Sequence, residues 1–391
     1  MTNKLIPYSR QKIYLDDIKY VNKILKSNFL TTGPMGEHFE KKFSNSVNSK
    51  FAISVNSATS ALHIACKALG LGVGDYLWTS PNSFVASSNC ALYCGSKVDF
   101  IDIELNNYNI DIAILEKKLK IAKKNKKLPK IIVPVLFSGH PHDMSKLKKL
   151  SKEYNFRILE DASHALGAKY FGNKVGSCKY SDITVFSTHP VKMITTGEGG
   201  VATTNNQKYY KIMKMLRSHG ITREKKDFVN KKYSSTHYEQ HMLGFNYRLS
   251  DIQAALGVTQ LKKINYFLKQ RRIIKDFYDE KLKKFPFILP SEKKYITSSW
   301  HLYPVLLDTK YTTKTKDDLI KYLRKNNIFV NTHYIPIPCH PYYKKLGFRE
   351  KNFQNSVFFY KHEISLPIYV GLSKTDLKYI ISKLANFFKI K

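Results

Sequence analysis

The sequence reads as an α/β protein in which a mostly parallel sheet is followed by a smaller α+β lobe. Three observations predict this. Short apolar segments alternate with amphipathic stretches from about residue 51 to residue 217, the rhythm of strands joined by covering helices. The chain has 391 residues and 43% hydrophobic content. That exceeds the roughly 250 to 300 residues at which a single core stops growing, so two lobes are expected. Beyond a long helical run, the regular alternation gives way to a few scattered strands and helices.

Strands are expected at 51–55, 76–79, 98–103, 131–136, 157–160, 183–186 and 201–204, each a short apolar run. Helices are expected between them at 59–69, 85–94, 112–124 and 145–154, where apolar residues recur at helical spacing. A ligand site in such a sheet lies outside the carboxyl ends of its strands. The polar segment 222–240 interrupts the pattern and reads as a mobile or interfacial loop. One helical pattern then runs from 249 to about 285. Strands at 301–307 and 329–332, with helices at 315–325 and 374–388, complete the second lobe. The chain has no internal repeat and no low-complexity tract.

The charge balance is strongly basic, +35 from 65 basic and 30 acidic residues. A clustered basic face would point to nucleic acid, but these lysines are spread along the chain, in short runs on expected helix faces. They read as a solvated surface that also steers polyanionic small molecules, with no nucleic-acid partner. The start Met1–Pro7 has no signal-like apolar run, and no segment approaches the roughly 18 apolar residues of a membrane span. Five cysteines without framework spacing fit reduced thiols. A soluble, cytoplasmic-type protein without a bound metal is expected.

The most informative stretch runs from Phe186 to Gly200, Phe-Ser-Thr-His-Pro-Val-Lys-Met-Ile-Thr-Thr-Gly-Glu-Gly-Gly. It sets Lys192 just beyond a strand end and before a glycine run. A lysine forms a Schiff base only if its amine sheds a proton near neutral pH, which calls for a partly desolvated setting. A lone lysine is usually a surface residue; its companions change that reading. The strand 157–160 runs into Asp161, whose carboxylate would keep the ring nitrogen of pyridoxal 5'-phosphate protonated, the state in which that ring accepts electrons. The segment Asn56-Ser57-Ala58-Thr59-Ser60 turns a strand into a helix, and a helix start is an anion site suited to a phosphate. Ser187 could donate to the same phosphate, and Phe84 could stack on a pyridine face.

These motifs, with Glu160-Asp161-Ala162-Ser163-His164-Ala165-Leu166-Gly167 and the later run Gly244-Phe245-Asn246-Tyr247-Arg248-Leu249-Ser250-Asp251, resemble the nucleotide-sugar aminotransferases of the DegT/DnrJ/EryC1/StrS family. The similarity extends over nearly the whole chain. It implies the aspartate-aminotransferase fold, with an N-terminal arm at 1–15, a large seven-stranded domain at 16–260 and a small domain at 261–391. It makes Lys192 the Schiff-base lysine, Asp161 the partner of the pyridinium nitrogen and His164 a neighbour of the cofactor's phenolic oxygen. Phe84 becomes the stacking ring, and Ala58, Thr59 and Ser187 hold the phosphate. Asn246 would reach the phosphate of a neighbouring subunit, which implies a homodimer with two shared sites. Tyr8, the segment Asn28, Phe29, Leu30 and Thr31, and the segment Asn331, Thr332, His333 and Tyr334 would line the sugar-nucleotide site. Relatives that dehydrate sugars carry histidine at the lysine position; this chain keeps Lys192, which implies transamination. The finer similarity implies amination at C4 of a UDP-linked 4-keto-6-deoxy-N-acetylhexosamine with glutamate as donor. A different UDP- or dTDP-linked keto sugar, aminated at C3 or C4, is the alternative, and a non-catalytic binding module a remote one.

Overall fold

The computed structural model describes residues 5–229 and 234–390. Two helices, α1 (Leu15–Leu25) and α2 (Pro34–Val47), precede the sheet. The chain then alternates β1 (Phe51–Val55), α3 (Ala58–Ala68), β2 (Tyr76–Thr79), α4 (Ala86–Tyr93), β3 (Lys97–Phe100), α5 (Ile112–Lys124), β4 (Ile131–Val133), α6 (Met144–Tyr154) and β5 (Arg157–Asp161). A short hairpin of β6 (Lys169–Tyr170) and β7 (Asn173–Lys174) intervenes before β8 (Ile183–Ser187), β9 (Gly200–Thr204) and α7 (Gln207–Leu216). The seven long strands form one sheet in the order β1-β9-β8-β5-β4-β2-β3. Only β9 runs against its neighbours; the pairs from β8 to β3 are parallel.

Both faces of this sheet are buried, which explains why its strands are continuous apolar runs. Side chains alternate across the pleat. Ala52, Ile132, Ile158 and Phe186 point into a core shared with α2, α5, α6 and α8 (Asp251–Lys262). Ile53, Ile131, Val133, Leu159 and Val185 point into a second core against α3, α4 and α7. Strand β4 stops at Val133, short of the expected 136, because Pro134 cannot donate to the ladder.

The expected single helix from 249 to 285 is two helices, α8 and α9 (Ile264–Lys281). The break falls at Lys263, whose ammonium reaches Asp16 at 2.6 Å and the buried Asp17 of α1 at 2.9 Å. Within the segment 222–240, β10 (Ile221–Thr222) pairs with β11 (Glu239–Gln240), while residues 230–233 lie outside the described part, as do residues 1–4 of the N-terminal run.

The C-terminal part holds a three-stranded sheet of β12 (Phe287–Ile288), β14 (Tyr303–Leu307) and β15 (Glu363–Leu366), while β13 (Ile296–Thr297) pairs with β6. Helices α10 (Lys316–Lys325) and α13 (Lys374–Phe388) cover it with Leu319, Leu323, Leu377, Ile380 and Leu384. Ile6 joins this core and bridges Ile328. The expected strand at 329–332 does not form. Its backbone makes one isolated bridge, Asn331 to Ser365, and residues 333 and 334 then reach the cavity at the large sheet.

The two parts are pinned together by polar contacts. Within the C-terminal part, Arg271 of α9 is buried and donates to the carbonyls of Trp300 (3.2 Å), His301 (2.9 Å) and Ile368 (2.8 Å), while the next two contacts join it to the large sheet. Asp102 accepts from the Asn355 and Ser356 N–H groups at the start of α12 (Gln354–His362). The Tyr343 hydroxyl of α11 (Pro341–Lys345) meets Ser88 and Asn89 of α4 at 2.6 Å each. No described helix is long and apolar enough to cross a membrane.

Candidate active site

A cavity of about 390 Å³ opens where β5 and β8 end, beside the start of α3 and under residues 331–334 of the second lobe. The structure brings together here Ala58, Thr59, Phe84, Asp161, His164, Ser187 and Lys192, with Tyr8, Asn331, Thr332, His333 and Tyr334. Asn28, Phe29, Leu30, Thr31 and Asn246 are not part of its wall; all five are exposed elsewhere. Segment 28–31 is tied instead to the start of α8, where the Asp251 N–H donates to the Leu30 carbonyl at 3.0 Å.

Lys192 follows β8 in a turn closed by its own N–H on the His189 carbonyl at 2.9 Å. Burial lowers its amine to about 8, against the opposing pull of the Asp161 carboxylate. A useful fraction is therefore unprotonated near neutral pH. The glycine run after it permits close approach rather than mere flexibility. A Cβ on Gly200 would stand 2.5 Å from the Ala58 nitrogen and 2.6 Å from the Ser57 carbonyl oxygen. The start of β9 is thus pressed against the start of α3.

At that start, Ser57 caps α3 by accepting the Ser60 N–H at 3.1 Å. The first N–H groups of the helix and the positive end of its dipole lie beside Ser187, an arrangement that suits a phosphate. Asp161 ends β5 as a buried carboxylate. One oxygen accepts the Ser87 hydroxyl at 2.6 Å and the other the Ser163 N–H at 3.1 Å. Phe84 is 61% exposed on the cavity rim, its ring 6.4 Å from that of Tyr334.

Four aromatic residues complete the wall. His164 is buried and accepts the Ser138 N–H on Nδ1 at 3.3 Å, with Nε2 3.1 Å from the Tyr334 hydroxyl. Burial drives its pKa well below the ordinary value, helped by the charges of Lys192 and His333. His333 is lowered to about 3, again by burial and then by Lys192. Its Nδ1 meets the Ser365 hydroxyl at 2.8 Å, and its N–H donates to the buried Glu363 carboxyl at 2.8 Å. The fourth, His301, was not singled out from the sequence. It is buried, its ring centroid 4.4 Å from that of His164, and its Nδ1 has no partner among the described residues. Its position directly before an apolar strand was the available signal. Ser138 had none.

These residues fit pyridoxal phosphate. A lysine with a lowered pKa, a carboxylate fixed at a strand end, a helix start that a Cβ at Gly200 would obstruct, and an exposed ring on the rim supply the donors and contacts it needs. Fold and site together define the class: an α/β enzyme whose cavity suits an aldehyde cofactor.

The family is settled by comparison. The sequence profile of the DegT/DnrJ/EryC1/StrS aminotransferase family matches residues 11–385, and the chain belongs to that family. A Campylobacter jejuni protein, UDP-4-amino-4,6-dideoxy-N-acetyl-beta-L-altrosamine transaminase, is 41% identical over 379 residues, covering 96% of each chain. The structure of Helicobacter pylori PseC, described as an aminotransferase involved in the biosynthesis of pseudoaminic acid, superposes with a TM-score of 0.90 at 33% identity, covering 99% of this chain and 100% of that one. The PLP form of the putative sugar aminotransferase Spr1654 from Streptococcus pneumoniae gives a TM-score of 0.88 at 28% identity, covering 99% of each chain. The protein is an aminotransferase that uses pyridoxal phosphate.

Proposed function

We propose that the protein transfers an amino group from glutamate to C4 of a UDP-linked 4-keto-6-deoxy-N-acetylhexosamine. The product would be UDP-4-amino-4,6-dideoxy-N-acetyl-β-L-altrosamine, a precursor of pseudaminic acid. The 41% identity over 96% of both chains to the Campylobacter jejuni transaminase carries the choice of sugar. The likeness to Helicobacter pylori PseC supports it.

When bound, pyridoxal phosphate supplies an electron sink for the charge that develops at the carbon being aminated or deaminated. In this reading Ala58, Thr59 and Ser187 hold its phosphate, Phe84 covers one ring face and Asp161 holds the proton on the ring nitrogen. Lys192 would hold the cofactor through its aldehyde carbon, whose oxygen leaves as water, and Nζ, once displaced by a substrate amine, would carry a proton between carbons. An amine lowered to about 8 suits both tasks, since it accepts and releases a proton at small cost. Tyr8 and residues 331–334 bind the sugar nucleotide from the second lobe.

The working unit in this reading is a homodimer. Asn246 and segment 28–31 lie outside the cavity of their own chain and are exposed, and Leu15, Leu25, Phe29 and Leu30 also expose apolar side chains. They would complete the site of the partner.

The test is a panel of UDP- and dTDP-linked 4-keto sugars and 3-keto sugars, each incubated with glutamate and alternative amino donors. Product identified by NMR as the C4 amine of the UDP-linked N-acetylated sugar is expected. Faster turnover of a dTDP sugar, or amination at C3, would replace this substrate with another of the same class.

A further inference from the structure

Glu363 and Ser365 stand two residues apart on β15, so both side chains leave the same side of the strand. Both are fully buried. The segment that brings His333 to the cavity is paired with this strand, the Ser365 N–H donating to the Asn331 carbonyl at 2.8 Å. One Glu363 oxygen, Oε2, accepts the backbone N–H of His333 at 2.8 Å, and the other, Oε1, meets the Ser365 hydroxyl. That hydroxyl in turn lies 2.8 Å from Nδ1 of His333. Carboxyl, hydroxyl and imidazole thus form one line of hydrogen bonds from the core to the cavity wall. The far nitrogen, Nε2, keeps one long contact among the described residues, 3.4 Å to the amide nitrogen of the exposed Asn331. At that length the contact does not dictate the state of the ring.

The line admits two proton arrangements. Burial keeps the imidazole neutral in both, so one ring nitrogen carries a proton and the other is bare. With Glu363 ionised, the Ser365 hydroxyl donates to Oε1, Nδ1–H donates to Ser365, and Nε2 is an acceptor. With Glu363 protonated on Oε1, each bond reverses: Oε1–H donates to Ser365, Ser365 donates to Nδ1, and Nε2–H becomes a donor. Passing from the first to the second takes in one proton at Nε2 and moves the Nδ1 and Ser365 protons one place each toward Glu363. The buried carboxyl therefore exchanges its proton with the cavity through His333.

The other ionisable groups around Glu363 are Lys316 of α10, Tyr108 and Tyr334, and those around His333 are Lys192, His164, His301 and Tyr8. Burial raises Glu363 to about 8, against the opposing hydrogen bonds of Ser365 and His333 and the charge of Lys316. Near neutral pH the protonated carboxyl dominates.

We propose that Glu363 and Ser365 are positioning residues that set, through this relay, whether Nε2 of His333 gives or accepts a hydrogen bond, and that Nε2–H recognises a carbonyl oxygen of the keto sugar. The ligand half rests on the function proposed above; the relay does not. A carbonyl oxygen accepts and cannot donate, so it fits the arrangement with Glu363 protonated and not the other.

The test uses the protein loaded with pyridoxal phosphate and carrying isotope-labelled histidine. Nitrogen NMR separates a protonated from a bare ring nitrogen, and His333→Gln identifies the His333 signals by their loss. In wild type the proton should move from Nε2 to Nδ1 with a midpoint at about pH 8. Glu363→Gln sets an amide N–H where Oε1–H stood and should lock the proton on Nε2 at every pH, while Ser365→Ala should abolish the midpoint. A fixed proton in wild type, or an unchanged midpoint in either variant, overturns the relay. Lys192 titrates in the same range, so kinetics are read as the difference between wild type and Glu363→Gln, which share it. From about one pH unit below the midpoint to one above, KM for the keto sugar should climb several-fold more in wild type than in the variant, with kcat moving alike in both. Parallel KM profiles overturn the ligand role of Nε2–H. Failure of every keto sugar in the panel would remove the proposed function and the ligand half with it, and the nitrogen signals, read without substrate, would still decide the relay.

Discussion

Ser87 donates its hydroxyl proton to an Asp161 oxygen at 2.6 Å, and because that proton is committed, the Ser83 hydroxyl donates in turn to Ser87 at 2.7 Å. Ser87 sits in the first turn of α4, so a helix on one side of the sheet aims a carboxylate at the end of β5. Ser87→Ala should lower kcat several-fold with little change in KM, within the limit of about 1.5 to 3 kcal/mol for a hydrogen bond to a charged group. Steady-state kinetics beside a thermal melt would decide. An unchanged kcat would leave Ser87 as a packing residue.

Gly200→Ala should weaken cofactor binding more than it lowers stability. The added methyl would stand 2.5 Å from the Ala58 nitrogen, at the helix start proposed to hold the phosphate. Equilibrium dialysis against pyridoxal phosphate should show at least a tenfold loss of affinity, about 1.4 kcal/mol. Wild-type affinity would mean that the phosphate lies elsewhere.

Glu363 gives a pH dependence of known sign. Burial raises its carboxyl to about 8 from 4.5, so the folded protein binds this proton more tightly than the unfolded chain. Its contribution to stability is greatest below about 4.5 and is lost as the pH climbs to about 8. The buried histidines His140, His142 and His333, lowered to about 4, 4 and 3, act in the opposite sense, but below their ordinary value of 6.5. In the window from 6.5 to 8 the histidines drop out; buried Glu160, raised to about 7, has the same sign as Glu363, while Cys94, lowered to about 5 chiefly by its hydrogen bond with Cys66, acts in the opposite sense in both variant and wild type. Glu363→Gln should flatten the fall of Tm across that window. Parallel Tm curves for the variant and wild type would refute the assignment.

The proposed sharing of the site between subunits predicts complementation. Lys192→Ala and Asn246→Asp chains, each inactive alone, should form hybrid dimers with one doubly damaged site and one intact site. Aspartate is chosen because its charge repels a phosphate. Recovery of about half the wild-type activity per hybrid, once subunit exchange is verified, is the expected result. No recovery would place Asn246 in its own chain's site or outside any site.

The central sheet was legible because its strands are buried on both faces and so read as plain apolar runs, as Ile131 to Val133 and Ile183 to Phe186 illustrate. Helix ends followed from caps such as Asp111, whose carboxylate accepts the Ala113 and Ile114 N–H groups. The break at Lys263 was not legible, since it follows from a long-range ion pair with Asp17 that leaves the helical pattern intact. The strand expected at 329–332 failed for a similar reason: its β-forming residues serve a connection that delivers His333 and Tyr334 to the cavity. Within the site, Lys192 and Asp161 could be singled out because glycines and a strand end mark them. Ser87 and Ser138 matter through contacts made only after folding, and no local pattern announces them; His301 had only its place before an apolar strand to mark it.

The most direct measurement is reductive trapping. The purified protein loaded with pyridoxal phosphate is treated with borohydride, digested and analysed by peptide mass spectrometry. The account predicts a single phosphopyridoxyl group on Lys192 and loss of both label and turnover in Lys192→Ala, with the circular dichroism spectrum unchanged. Arginine at this position should not restore activity, since its guanidinium stays protonated. Label on another lysine, or turnover that survives Lys192→Ala at the wild-type rate, would contradict it.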